Sequence, residues 1–138
     1  MAGKCAALLA FLLVLVTAAT ALAEHEVYYR YTVLGYVKDV KGRPRPGVQV
    51  ELVRVKTGFS YLGETDAGGL YVIIARLGDE SAGEALRLSA IKQSVVISAR
   101  FDPRDHLRER GTRVDFVGRK PVETPTAFAA TLKQFLKQ

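Results

Sequence analysis

Two turn-rich segments constrain the fold of this 138-residue chain more than any other feature of its sequence. The segments are Asp39-Val40-Lys41-Gly42-Arg43-Pro44-Arg45-Pro46-Gly47 and Thr65-Asp66-Ala67-Gly68-Gly69. Proline fixes φ and lacks an amide hydrogen, and glycine permits a positive φ, so no helix and no central strand can run through either segment. The aspartates can accept hydrogen bonds from nearby backbone amides, which stabilises tight turns. The residues predicted to form these turns are Asp39, Gly42, Pro44, Pro46, Gly47, Asp66 and Gly69.

Apolar residues alternate with polar ones along most of the chain around these turns, which is typical of β-strands. The predicted strands cover residues 28–38, 48–55, 59–64, 70–75, 86–90, 95–101 and 112–117, the second with a bulge or strong twist near Leu52-Val53. Lys92-Gln93 is predicted to form the bend between the fifth and sixth strands, and residues 102–111 a loop with one irregular turn. Seven short strands separated by turns predict an all-β fold, in the form of a β-sandwich.

The two turns belong to one longer pattern of glycine, proline, aspartate and apolar residues. It reads Gly35-x-Val37-x-Asp39-x-x-Gly42-x-Pro44-x-Pro46-Gly47-Val48-x-Val50, followed by Thr65-Asp66-Ala67-x-Gly69-x-Tyr71. This pattern resembles the carboxypeptidase regulatory-like domain over residues 30–75, and the later strands fit it loosely. The resemblance implies a seven-stranded Greek-key β-sandwich of the transthyretin-like (prealbumin-like) type, a carbohydrate-binding-like fold, and a non-catalytic role. Arg45 stands where the family usually has leucine, and Gly68 where it usually has Asp or Asn.

Residues 1–23 have the sequence of a secretory signal peptide. Lys4 precedes an apolar run over residues 6–16, and Ala21-Leu22-Ala23 is the small-x-small pattern that signal peptidase recognises. Cleavage after Ala23 would export the chain, so the expected location is periplasmic or secreted, with no transmembrane segment after cleavage. An uncleaved anchor is the alternative, because residues 5–23 are just long enough to span a bilayer.

The sequence after the signal peptide divides into three further segments. These are a flexible lead (residues 24–29), the β-sandwich (residues 30–118), and a linker with an amphipathic C-terminal helix (residues 119–138). The helix is predicted because Phe128, Leu132, Phe135 and Leu136 follow the spacing i, i+4, i+7 and i+8 of one helical face. A helix of about a dozen residues is marginal alone in water. It must therefore pack on its own sandwich, on a partner protein or on a membrane surface.

The sequence offers few residues for catalysis or metal binding. His25 and His106 are its two histidines, no HExxH motif is present, and the single cysteine leaves with the signal peptide. We therefore expect a protein that is not an enzyme, with no catalytic residue, no cofactor and no metal. Asp39, Glu64 and Asp66 could together hold calcium, although turn capping explains the two aspartates with fewer assumptions. A small transthyretin-fold hydrolase is the enzymatic alternative, and it would need His106 beside a nucleophile in a concave pocket.

Basic residues are concentrated near the end of the predicted sandwich, within a chain of net charge +6 at pH 7. The basic residues are Arg100, Arg104, Arg108, Arg110, Arg113, Arg119 and Lys120. The acidic residues interleaved with them are Asp102, Asp105, Glu109 and Asp115. This mixture predicts a solvated surface whose charges pair with one another, with an anionic partner as the alternative. Nucleic acid is not an expected partner of an exported chain.

These observations predict an exported, non-catalytic interaction module that binds a protein partner through an edge strand or through the C-terminal helix face. The candidate partner-binding residues are Phe128, Leu132, Phe135, Leu136, Arg104, Arg108 and Arg110. A glycan-binding module is the alternative, because aromatic rings can stack on sugars. The rings considered for that role are Tyr28, Tyr29, Tyr31, Tyr36, Phe59 and Tyr61.

Overall fold

The computed structural model describes residues 27–138, so the predicted signal peptide and its cleavage after Ala23 lie outside the described residues. The strands are β1 (Tyr29–Lys38), β2 (Gln49–Arg54), β3 (Ser60–Glu64), β4 (Leu70–Leu77), β5 (Ala85–Ala90), β6 (Gln93–Ser98), β7 (Arg110–Val117) and β8 (Lys120–Glu123). Short 3-10 helices occupy Asp79–Ser81 and Pro125–Ala127, and one α-helix, α1, spans Phe128–Leu136.

The strands form two four-stranded sheets, in the orders β4-β1-β7-β8 and β3-β2-β5-β6. Neighbouring strands are antiparallel except for β1 and β7, which are parallel, with Tyr31 opposite Arg110 and Val37 opposite Phe116. The prediction of an all-β sandwich with a short C-terminal helix is confirmed. The predicted number of seven strands is wrong, because residues 27–138 contain eight.

The additional strand, β8, lies in the segment predicted to be a linker. Gly118, with a φ of 82°, reverses the chain between β7 and β8, and Val117 pairs with Lys120 across the turn. Pro121 lies within β8, where proline is tolerated because β8 is the edge of its sheet and one side of its backbone needs no partner. The linker prediction for residues 119–124 is therefore wrong over Lys120–Glu123.

The core lies between the two sheets and is built from their inward-facing side chains. Burial alternates along β7, where every second residue from Arg110 to Phe116 is buried. Tyr71 adds a buried hydrogen bond across the sheet, because its hydroxyl donates to the Val114 carbonyl oxygen at 2.6 Å. Aromatic and aliphatic side chains of both sheets fill the space, among them Tyr31, Val37, Leu52, Ile73, Leu88 and Phe116.

The first turn-rich segment is stabilised by the carboxylate of Asp39. Its Oδ1 accepts hydrogen bonds from the amides of Lys41 and Arg43, each at 2.9 Å, and Gly42 has a φ of 79°. The pKa of Asp39 is lowered, mainly because the Arg43 amide donates to the ionised carboxylate. The carboxylate thus acts within the turn that contains it.

The second turn-rich segment has the same design and contacts the first. Asp66 Oδ1 accepts hydrogen bonds from the amides of Gly68 and Leu70, and Gly69 has a φ of 77°. The amide of Val37 donates to the Gly69 carbonyl oxygen at 2.8 Å, so the end of β1 is tied to this turn. Because a methyl group at Gly69 would lie 2.7 Å from the Val37 carbonyl oxygen, glycine is needed here for space as well as for its φ.

The β5–β6 hairpin turns through two residues that are not glycine. The turn residues are Ile91 and Lys92, with φ values of 45° and 60°, one position before the predicted bend at Lys92-Gln93. A left-handed conformation costs an L-residue roughly 1–2 kcal/mol.

Replacing Lys92 with glycine is therefore expected to raise the free energy of unfolding by about 1 kcal/mol, measured by urea denaturation. Lys41→Gly is the matched control, because Lys41 is an exposed turn residue that does not have a positive φ. A gain of equal size in both variants would show that the hairpin conformation is not the cause.

Candidate functional site

The helix α1 is docked on the outer face of the sheet that contains β1 and β7. Phe128, its first residue, is buried, and its ring lies against Gly111 of β7. Thr131 is also buried, and its hydroxyl accepts a hydrogen bond from Arg113 Nη1 at 3.0 Å. Leu34, which points to this outer face from β1, is fully buried. The first turn of α1 therefore packs on the protein's own sandwich, which is one of the three surfaces considered for the helix.

The remainder of the apolar helix face is only partly covered. Leu132 and Phe135 are half-buried, and Leu136 is 70% exposed. Phe128 is therefore not free for a partner, whereas Leu132 and Leu136 still present apolar surface to solvent.

The second element of the site is the segment between β6 and β7, which we call the arginine loop (residues 99–109). Asp102 and Asp105 shape it, because their Oδ1 atoms accept hydrogen bonds from the amides of Arg104 and of Leu107 and Arg108, respectively. The pKa of Asp105 is lowered, chiefly because the Arg108 amide donates to its carboxylate. Both aspartates are thus engaged by the loop itself.

Arg110, the first residue of β7, fixes the arginine loop to the end of the sandwich. Its side chain is 6% exposed, and its Nη2 donates to Asp79 Oδ1 and to the carbonyl oxygens of Asp102 and Asp105. Its guanidinium carbon lies 4.2 Å from the centre of the Phe101 ring, and Nη1 is buried without a hydrogen-bond partner in residues 27–138. The prediction that Arg110 belongs to a solvated surface is therefore wrong, because a planar, weakly hydrated guanidinium can be buried against aromatic rings.

His106 lies beside this cluster and contacts two residues, Asp79 and Tyr29. Its Nε2 is 2.8 Å from Asp79 Oδ2, and its ring stacks on Tyr29 with centroids 4.3 Å apart and planes 15° apart. The Tyr29 hydroxyl oxygen lies 3.3 Å from Nδ1. Because the two rings are nearly parallel, the hydroxyl approaches the face of the imidazole and not the in-plane lone pair or N–H through which a proton would pass. This arrangement holds the loop against the start of β1 and does not align the Tyr29 hydroxyl with His106 for proton transfer.

A groove of about 940 Å³ separates α1 from the arginine loop. The helix wall of the groove consists of Phe128, Leu132, Lys133, Leu136 and Lys137. The loop wall consists of Arg100, Asp102, Asp105, Arg108 and Glu109, with Phe101, Arg110 and Gly111 between the two walls. Its lining is predominantly apolar along the helix and charged along the loop.

The groove brings together five of the seven predicted partner-binding residues. Phe128, Leu132, Leu136, Arg108 and Arg110 line it, while Arg104 and Phe135 do not. Sequence reasoning missed Arg100, Phe101, Lys133 and Lys137 as lining residues. The spacing of Lys133 and Lys137, one residue after Leu132 and Leu136, was the available signal, since it places a basic stripe beside the apolar one.

The aromatic rings considered for glycan binding are largely engaged within the protein. Tyr31 is buried in the core, Tyr29 stacks on His106, and the Tyr36 ring contacts the Arg113 guanidinium at 5.1 Å. The Tyr61 hydroxyl contacts the carbonyl oxygen of Arg76. Tyr28 and Phe59 are about half exposed, and neither lines the groove.

In residues 27–138, no three His, Cys, Asp or Glu side chains are grouped so that they could hold a metal ion, and Asp39, Glu64 and Asp66 form no such group. Over the same residues, no helix is both long enough and apolar enough to cross a membrane.

Comparisons with known proteins leave the family open. No protein-family model matches the chain, and no curated protein matches it significantly. A similar solved structure is the dioxygenase domain of a dioxygenase and carbohydrate-binding protein fusion from the cellulolytic bacterium Streptomyces sp., at 17% identity and a TM-score of 0.46, covering 70% of this chain and 83% of that one.

Two further similar structures are catechol dioxygenases. Chlorocatechol 1,2-dioxygenase from Pseudomonas putida is 12% identical with a TM-score of 0.44, covering 65% of this chain and 60% of that one. The 3-chlorocatechol 1,2-dioxygenase from Rhodococcus opacus is 12% identical with a TM-score of 0.40, covering 72% and 58%. This chain thus spans about three fifths of both. Likenesses this weak indicate neither family nor function, and the resemblance to carboxypeptidase regulatory-like domains stays a prediction.

Proposed function

We propose that this protein is an exported, non-catalytic interaction module that binds a segment of a partner protein in the groove between α1 and the arginine loop. The observation that carries the proposal is the uncovered apolar end of α1 beside that groove, where Leu136 is 70% exposed and Leu132 is half-buried. Grooves of this size, lined by a helix face and bordered by charges, are a common way to bind a peptide segment.

The docking of α1 and the binding of a partner use different residues of the helix. Phe128 and Thr131 attach α1 to β7 and so fix the width of the groove. Leu136 contributes little to that attachment, and Leu132 is only partly covered by it. Burial of an exposed leucine side chain by a partner would contribute about 2 kcal/mol to binding. A preformed groove also reduces the entropy that binding must overcome.

The proposal also includes the type of the sandwich and the location of the protein. The sandwich is of the transthyretin-like, Greek-key type found in carboxypeptidase regulatory-like domains, and the protein reaches the periplasm or the exterior through residues 1–23. The motif over residues 35–71 supports the first point, together with the positive φ values of Gly42, Gly47 and Gly69 in its turns. The second rests on the sequence of the first 23 residues.

The test is affinity purification of the mature chain from its native envelope or culture fluid. Leu136→Glu is expected to reduce the captured partner at least about tenfold, because a carboxylate replaces apolar contact at the end of the groove. Leu62→Glu is the matched control, since Leu62 is 60% exposed on β3 of the other sheet. Equal capture by both variants would exclude the groove, and a loss confined to Leu62→Glu would place binding at the β3 edge.

A further inference from the structure

The structure also bears on the chemistry of the partner. Granting the proposed function, we infer that the groove takes an acidic amphipathic segment of a partner protein. Its apolar side chains would lie against Leu132 and Leu136, and its carboxylates would meet Arg108, Lys133 and Lys137. The inference rests on the distribution of paired and unpaired charges around the groove and on the geometry of α1.

The acidic residues of the groove are already engaged by the protein. Asp102 lies 3.6 Å from Arg104 Nε and accepts the Arg104 amide. Asp105 accepts the amides of Leu107 and Arg108. Glu109 pairs at 3.3 Å with Arg30, which lies in the neighbouring strand β1.

Four of the five basic side chains that line the groove, by contrast, make no ion pair. Arg100, Arg108, Lys133 and Lys137 make no ion pair with any carboxylate of residues 27–138. Arg110, the fifth, is paired with Asp79, and its buried Nη1 lacks an acceptor in residues 27–138. The groove therefore presents a positive potential, which favours segments that carry Asp or Glu.

The geometry of α1 places this charge beside the apolar surface. Phe128, Leu132 and Leu136 recur every four residues and form a stripe about 12 Å long along the helix axis. Lys133 and Lys137 follow the same spacing one residue later and form a parallel basic stripe. A segment with apolar residues on one side and acidic residues on the other matches both stripes at once.

An anionic lipid surface is the principal alternative ligand for the same cations. Lipid headgroups form a plane, whereas Arg108 and Lys133 stand on opposite walls of a concave groove. The shape therefore favours a peptide chain, which can enter between the walls.

The test is selection of a random peptide display library on the full mature chain, after which the Kd of each enriched peptide is measured for the original chain and for Leu136→Glu. Enriched peptides are expected to carry net negative charge together with an apolar residue, and their Kd should rise with salt. The double variant R108E/K133E should weaken them at least about tenfold. The double variant K41E/K92E, which changes the net charge equally at exposed lysines outside the groove, should change Kd less than about twofold.

Three results would overturn the inference. Neutral or basic enriched peptides, or acidic ones that R108E/K133E binds as tightly as the original chain, would show that the groove does not select for acidity while leaving the proposed function intact. Binding to phosphatidylglycerol vesicles that R108E/K133E abolishes, with no peptide enriched, would identify a lipid surface instead. If Leu136→Glu does not weaken the binding of the enriched peptides, the groove is not the binding site, and the proposed function is wrong as well.

Discussion

Substituting Gly111 with alanine is expected to lower the free energy of unfolding by about 3 kcal/mol and to displace α1 from the sandwich. A methyl group at Gly111 would lie 2.5 Å from Cζ of the Phe128 ring and closer still to the Thr32 carbonyl oxygen. The ring could move only by undocking the helix, and the carbonyl could move only by separating β1 from β7. Both movements disrupt close packing, which is why a single methyl group has so large an effect.

Urea denaturation measures the loss of stability, and trypsin cleavage after Lys133 and Lys137 measures the undocking of α1. Gly68→Ala is the control, because the nearest atom to its added methyl group is Asp66 Oδ1 at an ordinary 3.4 Å. That variant should stay within about 0.5 kcal/mol of the original chain. Should Gly111→Ala unfold at the same urea concentration with its helix still protected, the ring of Phe128 would not rest on β7.

Gly111 also illustrates how the sequence can indicate a turn where the structure has a strand. In the sequence it follows a polar stretch and looks like the end of an irregular loop. In the structure it lies in β7, parallel to β1 and opposite Thr32. Its importance depends on two contacts, with β1 and with α1, that are remote in sequence. No local pattern reports such contacts.

Features that depend on neighbouring residues were predictable. Asp39 with Gly42, and Asp66 with Gly69, form turns whose hydrogen bonds close within five residues, so their residue types alone indicate them. The β5–β6 turn was harder to locate, because Ile91 adopts a positive φ that an isoleucine rarely takes. Tertiary packing overrides local preference at that position.

The candidate site also depends on contacts between segments that are distant in sequence. The arginine loop and the C-terminal helix could each be named from the sequence, but their proximity could not. The strand β8 brings the helix close to the loop. The chain runs away from the arginine loop along β7 and returns along β8, which is antiparallel to β7. The Thr124 amide, just after β8, donates to the Arg113 carbonyl oxygen near the start of β7. Gly118 and Pro121 give β8 the sequence of a linker. The return of the chain along β8, and with it the groove between α1 and the arginine loop, was therefore not predictable.

Titration of Tyr31 is expected to lower the free energy of unfolding by roughly 3 kcal/mol as the pH rises from 10 to about 12. Its side chain is 1% exposed, and burial, followed by the nearby charge of Glu123, raises its pKa from 10.0 to about 12. Below pH 10 the phenol is neutral in both states, so the fold has its full stability. Above pH 10 the unfolded chain loses this proton while the folded chain keeps it, so unfolding becomes progressively favoured until the folded pKa is reached.

Tyr31→Phe isolates this effect, because it keeps the buried ring and removes the titrating hydroxyl. Urea denaturation at pH 9, 10, 11 and 12 should show a smaller decline for the variant, by about the 3 kcal/mol assigned to Tyr31. The remaining decline has a second source in Tyr71, whose pKa is also raised by burial and whose hydroxyl donates to the Val114 carbonyl oxygen. Parallel curves for the variant and the original chain would mean that Tyr31 ionises at its ordinary pKa, and therefore that water reaches its hydroxyl inside the sandwich.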